Sequence, residues 1–304
     1  MELRDADLVV RTRGLTKNFG KRTVVDGLDL AIPRGGVYGF LGPNGSGKST
    51  TMKMLLGLLH PSAGQISLLG EDPWGEARAR LMPRIGSMIE HPPGYGHLTG
   101  RENMRLLARL LNLETTRIDR ALELVRLTDH RDRLQRTYSL GMKQRLGIAM
   151  ALAREPELLI LDEPTNGLDP AGIEEIRELM IHLASGGVTV MISSHLLAEI
   201  DRMADVLGVL SQGRLVFQGS REELFERSIP DLLVVTPQAD AAANLVRGCR
   251  RERNGIRVQG CGQEDAARLI VRLVQAGIPI HEVRRIQQSL EEVFMDLTGG
   301  AEAL

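Results

Sequence analysis

At roughly 150 residues per domain, a chain of 304 residues corresponds to about two domains. Hydrophobic residues make up 42% of it, which excludes a disordered or fibrous chain. Lys and Arg total 38 against 39 Asp and Glu, a formal net charge of −1, and the aromatics are one Trp, three Tyr and five Phe. Neither a basic field nor a series of stacking platforms therefore favours nucleic acid, and none is expected as a partner. No stretch reaches the ~18 consecutive apolar residues of a membrane-spanning helix. Met1 to Val10 carries Glu2, Arg4, Asp5 and Asp7 where a signal peptide needs an apolar core. Cys249 and Cys261 are the only cysteines, too few for a disulfide scaffold or a four-ligand metal site, so reduced thiols and a cytoplasmic location are expected.

Leu8 to Arg13 and Thr23 to Ile32 read as antiparallel strands joined by Gly20-Lys21-Arg22. Val37 to Leu41 reads as a buried strand, after which Met52, Leu55, Leu56 and Leu59 recur at i, i+3, i+4 and i+7, one face of a helix. A helix-rich insertion over 90–155 is marked by Met104, Leu107 and Leu111, with Leu106 and Leu110 alongside. Leu158 to Leu161 and Val188 to Ile192 are the next strands. Between them Asp169 as N-cap and Pro170 at the first helical position open a helix with Ile173, Ile176, Met180 and Leu183 on its inner face, before Gly186. This alternation predicts an α/β sheet with crossover helices.

The pattern changes after Gly219. Ser220-Arg-Glu-Glu223 forms a capping box, and strands are expected at Leu232 to Val235, Ile256 to Val258 and Ile278 to Val283. Ala267, Ile270, Val271 and Val274 form a helix face closed by Gly277, and Ser289-Leu-Glu-Glu292 caps a last helix. The expected organisation is one domain over 1–224 and a small α+β domain over 225–304 that carries no catalytic motif.

Gly42-Pro43-Asn44-Gly45-Ser46-Gly47-Lys48-Ser49 satisfies G-x-x-x-x-G-K-[ST] between a predicted strand and a predicted helix, the context in which that motif cradles phosphate. Glycines let backbone N–H groups turn inward, and the helix adds its positive end. Lys48 can reach the β- and γ-phosphates, and the Ser49 hydroxyl can ligate Mg²⁺. Leu158 to Leu161 ends in Asp162 and Glu163, two carboxylates at the carboxyl end of a strand, where ligands of open α/β sheets bind. Asp162 suits a second Mg²⁺ contact, and Glu163 suits polarisation of an attacking water. The two motifs together predict nucleotide hydrolysis.

Tyr138-Ser139-Leu140-Gly141-Met142-Lys143-Gln144-Arg145, ahead of an apolar helical stretch, resembles the signature of ATP-binding cassette (ABC) ATPases. That signature is usually Leu-Ser-Gly-Gly-Gln; here Tyr138 stands for Leu, Leu140 for the first Gly and Met142 for Gln. The resemblance covers about residues 8–220. Phe19 matches the aromatic that stacks on adenine, Asn166-Gly-Leu-Asp169 the loop after the acidic strand, and His195 the switch histidine. Glu90 stands where the family usually has a loop glutamine. Glu90, Ser-Leu-Gly-Met-Lys-Gln-Arg and the terminal Ser-Leu-Glu-Glu-Val-Phe are similar to a subgroup linked to bacitracin, lantibiotic and drug export or immunity.

The resemblance implies a phosphate-loop cassette with an antiparallel β subdomain and an α-helical subdomain, followed by the small α+β domain. It implies ATP contacts from Phe19, Gly42, Pro43, Asn44, Gly45, Ser46, Gly47, Lys48, Ser49, Thr50 and Glu90, Mg²⁺ contacts from Ser49, Asp162 and Glu90, and catalysis by Lys48, Glu163 and His195. Two cassettes, this chain with itself or a homologue, would stack head to tail. Ser139, Leu140, Gly141 and Met142 of one would then close on the ATP held by the other, with Asp169 linking the two sites. A separate membrane permease is implied, coupled through Glu90 and residues 91–112, with the motor peripheral on the cytoplasmic face and a drug, peptide antibiotic or lipid-like compound as cargo. Chromosome-condensation cassettes are excluded, because Lys48 and Ser139 lie too close in sequence for a long coiled coil between them. A regulatory ATPase acting through the carboxyl-terminal domain is the alternative. That domain itself reads as a packing or dimer-stabilising extension, or as a regulatory docking module.

Taken singly, these residues have plainer readings. Phe19 fits core packing, His195 a surface imidazole and Asp169 a helix N-cap. His60, His91, His97, His130, His182 and His281 show no metal-ligand spacing.

Overall fold

The long strand β1 (Leu8–Phe19) turns at Gly20, whose φ of +59° suits a residue without a Cβ, into β2 (Arg22–Leu28), and β3 (Ala31–Pro33) returns along the first half of β1. The single strand expected at Thr23 to Ile32 is therefore two. It breaks where Asp29 accepts the Gly14 N–H at 2.6 Å and Leu30 donates to Thr12 Oγ1 at 2.8 Å. β4 (Val37–Leu41) is buried at every position and leads through the glycine-rich loop to α1 (Lys48–Leu55). That helix is shorter than its apolar periodicity suggests, with Leu56 as its C-cap and Leu59 beyond it. β5 (Ala63–Leu68) pairs with the other edge of β1 and completes a four-stranded antiparallel sheet.

The structure is a computed structural model and describes residues 7–246 and 248–298. Glu2, Arg4 and Asp5, invoked above against a signal peptide, lie outside the described residues.

The single-turn helix α2 (Arg78–Leu81) precedes β6 (Ile85–Met88), and three helices follow: α3 (Gly100–Leu111), α4 (Thr115–Leu124) and α5 (Leu140–Leu152). Thr99 and Glu102 form a reciprocal capping box at the start of α3, with hydrogen bonds of 3.1 and 2.7 Å. Met104 is buried while Leu110 is exposed, so the inner face of α3 is narrower than its leucines suggest. β7 (Leu158–Asp162), α6 (Pro170–Ser185), β8 (Thr189–Ser194), α7 (Leu197–Ile200), β9 (Val206–Ser211) and β10 (Arg214–Gly219) then complete a six-stranded sheet in the order β10-β9-β4-β8-β7-β6. All neighbours in it are parallel except the edge strand β10. Phe40, Leu158, Ile160 and Met191 from this sheet share one core with Met52, Met54 and Leu55 of α1 and with Val10, Leu15 and Leu28 of the antiparallel sheet. The phosphate-loop helix is thereby held by the apolar faces of both sheets.

Described residues from Arg221 to Thr298 form a second unit, so the boundary falls at Ser220/Arg221 and not at 224/225. The helix opened by Ser220, α8 (Arg221–Arg227), belongs to this unit. After it come β11 (Asp231–Val235), α9 (Ala239–Leu245), β12 (Cys249–Glu252), β13 (Gly255–Val258), α10 (Gln263–Gln275), β14 (Glu282–Ile286) and α11 (Leu290–Thr298), with an antiparallel sheet in the order β12-β13-β11-β14. Two expectations shift. The strand placed at Ile278 to Val283 starts at Glu282, because Ile278 instead closes α10 by donating to Leu273 O at 3.1 Å. The buried face of α10 holds Ala266 and Leu273, while Val271 and Val274 are 54% and 59% exposed. Adjacent apolar residues offered two faces, and the core took the other one.

Asp231 is fully buried at the start of β11. Its carboxylate accepts from Arg257 Nε at 2.6 Å, Gly260 N at 2.9 Å and Gln288 Nε2 at 3.1 Å. Arg257 also donates to Glu292 at 2.9 Å, and Glu292 closes the Ser289 capping box of α11. The Ser289 N–H and Arg257 together hold the Glu292 carboxyl below its ordinary range. Removing one member of a buried ion pair leaves the other uncompensated. Asp231→Ala is therefore expected to destabilise the second unit by about 3–5 kcal/mol, measured as a shift of its transition in denaturant unfolding of the full chain.

Candidate functional site

Adjacent strands β4, β8 and β7 end side by side, so the loops at their carboxyl ends share one crevice. β4 runs into the glycine-rich loop. A Cβ on Gly42 would lie 2.4 Å from Leu210 O, and Gly47, at φ +108°, would place one 2.8 Å from Val24 O, so neither position accepts a side chain without displacing backbone. As N-cap of α1, Gly47 offers no capping side chain. The first N–H groups of α1 are left as donors for an anion.

Lys48 is only 5% exposed. Its Nζ donates to Gly42 O at 2.6 Å and lies 3.3 Å from Glu163 Oε1. Burial pushes its pKa below the usual lysine value, against the opposing pull of Glu163 and Asp162. Ser46 Oγ is buried and has no partner among the described residues. An orphan hydroxyl, a helix N-terminus and a buried ammonium fit a polyphosphate, which supplies acceptors to all three.

The acidic side is built by β7 and β8. Ser193 Oγ donates to Asp162 Oδ1 at 2.6 Å and accepts the Glu163 N–H at 3.0 Å. Glu163 has a φ of +48°, in the left-handed region that residues bearing a Cβ seldom occupy. Its two carboxylate oxygens reach different partners, Oε1 facing Lys48 and Oε2 lying 2.6 Å from His195 Nδ1. Of the three residues expected to act together, Glu163 thus contacts both others.

A cleft of about 370 Å³ is lined by Phe19, Arg22, Val24, Asn44, Gly45, Gly47, Lys48, Ser49, Thr50, Glu163 and Asn166. Phe19 is 50% exposed, with Lys17 Nζ 5.1 Å from its ring centroid, so it is no core residue and its ring is available for stacking. Arg22, Val24 and Asn166 were not expected. Arg22 and Val24 come from the first hairpin, which carries no motif, while Asn166 opens the Asn166-Gly-Leu-Asp169 loop that was matched without being placed in the cleft. A larger groove of about 740 Å³ on the antiparallel sheet, beside His60 and Trp74, holds Arg11, Arg13 and Asp72 but neither the glycine-rich loop nor the strand-end acids.

Other expected residues lie elsewhere. Glu90 does not line this cleft. It is exposed, and its carboxylate pairs with Lys53 of α1, whose ammonium holds the Glu90 carboxyl below its usual range. No Glu90 contact with the phosphate loop or with the Asp162 carboxylate is present in place of that pair. Ser139 Oγ caps α5 by accepting the Met142 N–H at 3.2 Å, and Ser139, Leu140, Gly141 and Met142 do not line their own chain's cleft. Asp169 Oδ1 caps α6 by accepting the Gly172 N–H at 3.1 Å. No group of three or more His, Cys, Asp or Glu among the described residues could hold a metal ion by itself. Ser193 was also unexpected; the serine that follows the apolar run Val190 to Ile192, two residues before His195, is the signal that marks it.

A strand, a glycine-rich loop and a helix facing an acidic strand end define a phosphate-loop nucleotide hydrolase. Residues 25–166 match the ABC transporter family. The bacitracin transport ATP-binding protein BcrA of Enterococcus faecalis is 39% identical over 302 residues, 97% of this chain and 97% of that protein. The lantibiotic transport ATP-binding protein SrtF of Streptococcus pyogenes is 43% identical over 227 residues, 73% of this chain and 97% of that protein. The solved structure of cbiO1 from Clostridium perfringens, part of the ABC transporter complex cbiONQ, matches with a TM-score of 0.67 at 30% identity, over 73% of this chain and 92% of that one. The chain belongs to the ABC transporter ATP-binding proteins and is an ATP-binding and ATP-hydrolysing transporter subunit, which favours transport over the regulatory alternative. Among the described residues no helix is long and apolar enough to cross a membrane.

Lys48→Ala removes the buried ammonium that lies between the Gly42 carbonyl and Glu163. Its expected effect is a loss of ATP affinity of about 10- to 100-fold, read by titration with a fluorescent nucleotide.

Proposed function

We propose that this subunit pairs with itself or a homologous cassette and drives a separate membrane permease that exports a peptide antibiotic or a related drug, working at the cytoplasmic face of the membrane. The observation that carries the hydrolytic part is the Glu163 carboxylate, set between the Lys48 ammonium at 3.3 Å and the His195 imidazole at 2.6 Å. In this reading Lys48 holds the β- and γ-phosphates. A phosphate oxygen on Nζ displaces Glu163 Oε1, and that oxygen turns to the attacking water as general base. His195 passes from Glu163 to the γ-phosphate and reports its presence. Phe19 stacks on the adenine. Mg²⁺ supplied with ATP would neutralise charge on the β- and γ-oxygens, and the Ser49 hydroxyl and the Asp162 carboxylate are the groups suited to hold it.

Ser139 and Gly141 act in this reading on the ATP of the paired cassette, which agrees with their absence from their own chain's cleft. Contacts available only in the closed pair shift the population toward closure, and hydrolysis reverses it. Glu90, held on the phosphate-loop helix by Lys53, then serves the link to the permease together with residues 91–112. Support for the cargo comes from the bacitracin and lantibiotic relatives.

Glu163→Gln is expected to slow turnover by about 10²- to 10⁴-fold, about 2.7–5.4 kcal/mol of barrier, with ATP affinity retained. Steady-state ATPase assays check it, and unchanged turnover removes Glu163 from the role of base. Purification from detergent-solubilised membranes should bring down a multi-span membrane protein, and vesicles holding both should move bacitracin only with ATP. Recovery of the chain from the soluble fraction alone, with no such protein, overturns the permease assignment.

A further inference from the structure

Glu199, on the single turn of α7, is absent from the cleft lining, yet its carboxylate is bound to both segments that carry the reacting groups. Its Oε2 accepts from Thr165 Oγ1 at 2.6 Å and from Ser194 Oγ at 3.1 Å. Thr165 and Ser194 are 3% and 1% exposed, so both hydroxyls need acceptors inside the protein. Leu196 O, 3.3 Å from Ser194 Oγ, is the weaker alternative for that hydroxyl, while the Leu196 N–H donates to the same oxygen at 2.9 Å. A charged acceptor gives the shorter and stronger bond.

Thr165 stands two residues after Glu163, and Ser194 immediately precedes His195. One carboxylate oxygen behind the cleft therefore ties together the two backbone segments from which Glu163 and His195 meet at 2.6 Å. The left-handed φ of Glu163 raises the demand for such a tie, because a residue with a Cβ keeps that conformation only where its neighbours over-determine it. Three hydrogen bonds do so: the Glu163 N–H on Ser193 Oγ at 3.0 Å, the Asn166 N–H on Glu163 O at 3.1 Å, and the Thr165 hydroxyl on Glu199. The same tie reaches the loop from Thr165 to Asp169 that leads into α6.

We propose that Glu199 is a positioning residue for ATP hydrolysis, clamping the Glu163–Thr165 segment to the Ser194–Leu196 segment so that Glu163 and His195 hold one shared geometry. The proposal rests on the reading of Glu163 and His195 as the reacting pair. In the full chain, Glu199→Ala is expected to lower kcat by about 10- to 100-fold and to leave the KM for ATP within about threefold. Glu199→Gln, whose carboxamide oxygen accepts both hydroxyls, should return turnover to within about fivefold of the parent chain. The double variant Glu199→Ala with Thr165→Val should lose no more than Glu199→Ala alone, since the Thr165 hydrogen bond is already gone in the single variant. If Glu199→Ala fails to fold, Thr165→Val carries the same test through its split between kcat and KM. Turnover within about threefold of the parent in folded Glu199→Ala, or kcat and ATP affinity falling together, overturns the proposal. Unchanged turnover in Glu163→Gln is a separate failure, that of the reacting pair itself.

Discussion

Parallel pairing of three buried strands sets the chemistry of this cassette. Leu41 at the end of β4 pairs with Ser194 of β8, and Ser193 pairs with Asp162 at the end of β7. Phe40, Ser193 and Asp162 therefore stand in one row, and the phosphate loop, His195 and Glu163 follow within two residues of it. A slip of one residue in any of these strands would turn its terminal side chains to the other face of the sheet. Because β4, β7 and β8 are buried on both faces, such a slip would also force each side chain into packing shaped for another, and that packing cost opposes it. Core burial and catalytic alignment are thus one constraint.

Within that frame the polar groups are arranged so that donors and acceptors meet across the crevice. The loop side offers the start of α1, Ser46 Oγ and the Lys48 ammonium; the strand side offers Asp162 and Glu163. Lys48 pays a desolvation cost that Glu163 and the Gly42 carbonyl offset in part. A phosphate would offset it more fully, because it brings charge and several acceptors at once. Asp162, 5% exposed, is stabilised by the Ser193 hydroxyl, which also receives the Glu163 N–H. A single serine thereby orients both neighbouring acids, one through its side chain and the other through its backbone.

What could be read from the sequence was local. The phosphate loop and Asp162-Glu163 announce themselves because the spacing of adjacent residues carries their chemistry, and Asp169 and Ser289 cap the helices their positions suggest. β5 was invisible because only Ile66 and Leu68 of it are buried. The inner face of α10 was ambiguous because consecutive Leu, Ile and Val residues satisfy more than one helical stripe. Glu90 pairs with Lys53, 37 residues away, and Glu199 binds Thr165, 34 residues away; no spacing rule joins either pair. These contacts exist only once the sheet order is known.

The departures of the signature from the family pattern make sense at the same level. Ser139 caps α5 as an acceptor of the Met142 N–H, which leaves its own O–H free, so capping and donation to a phosphate of the proposed partner cassette do not compete. Leu140, in place of the first glycine, is 44% exposed and packs over Gly167, where an added Cβ would lie 2.9 Å from Leu140 Cδ2. Gly167 has a φ of +75°, and that backbone conformation is what favours glycine there, since the exposed Leu140 side chain could turn aside. The loop that ends at Asp169 is thus shaped on one side by Leu140 and tied on the other, through Thr165, to Glu199. In a closed pair of cassettes, pressure on the signature of one chain would reach that chain's own Thr165–Asp169 loop through Leu140.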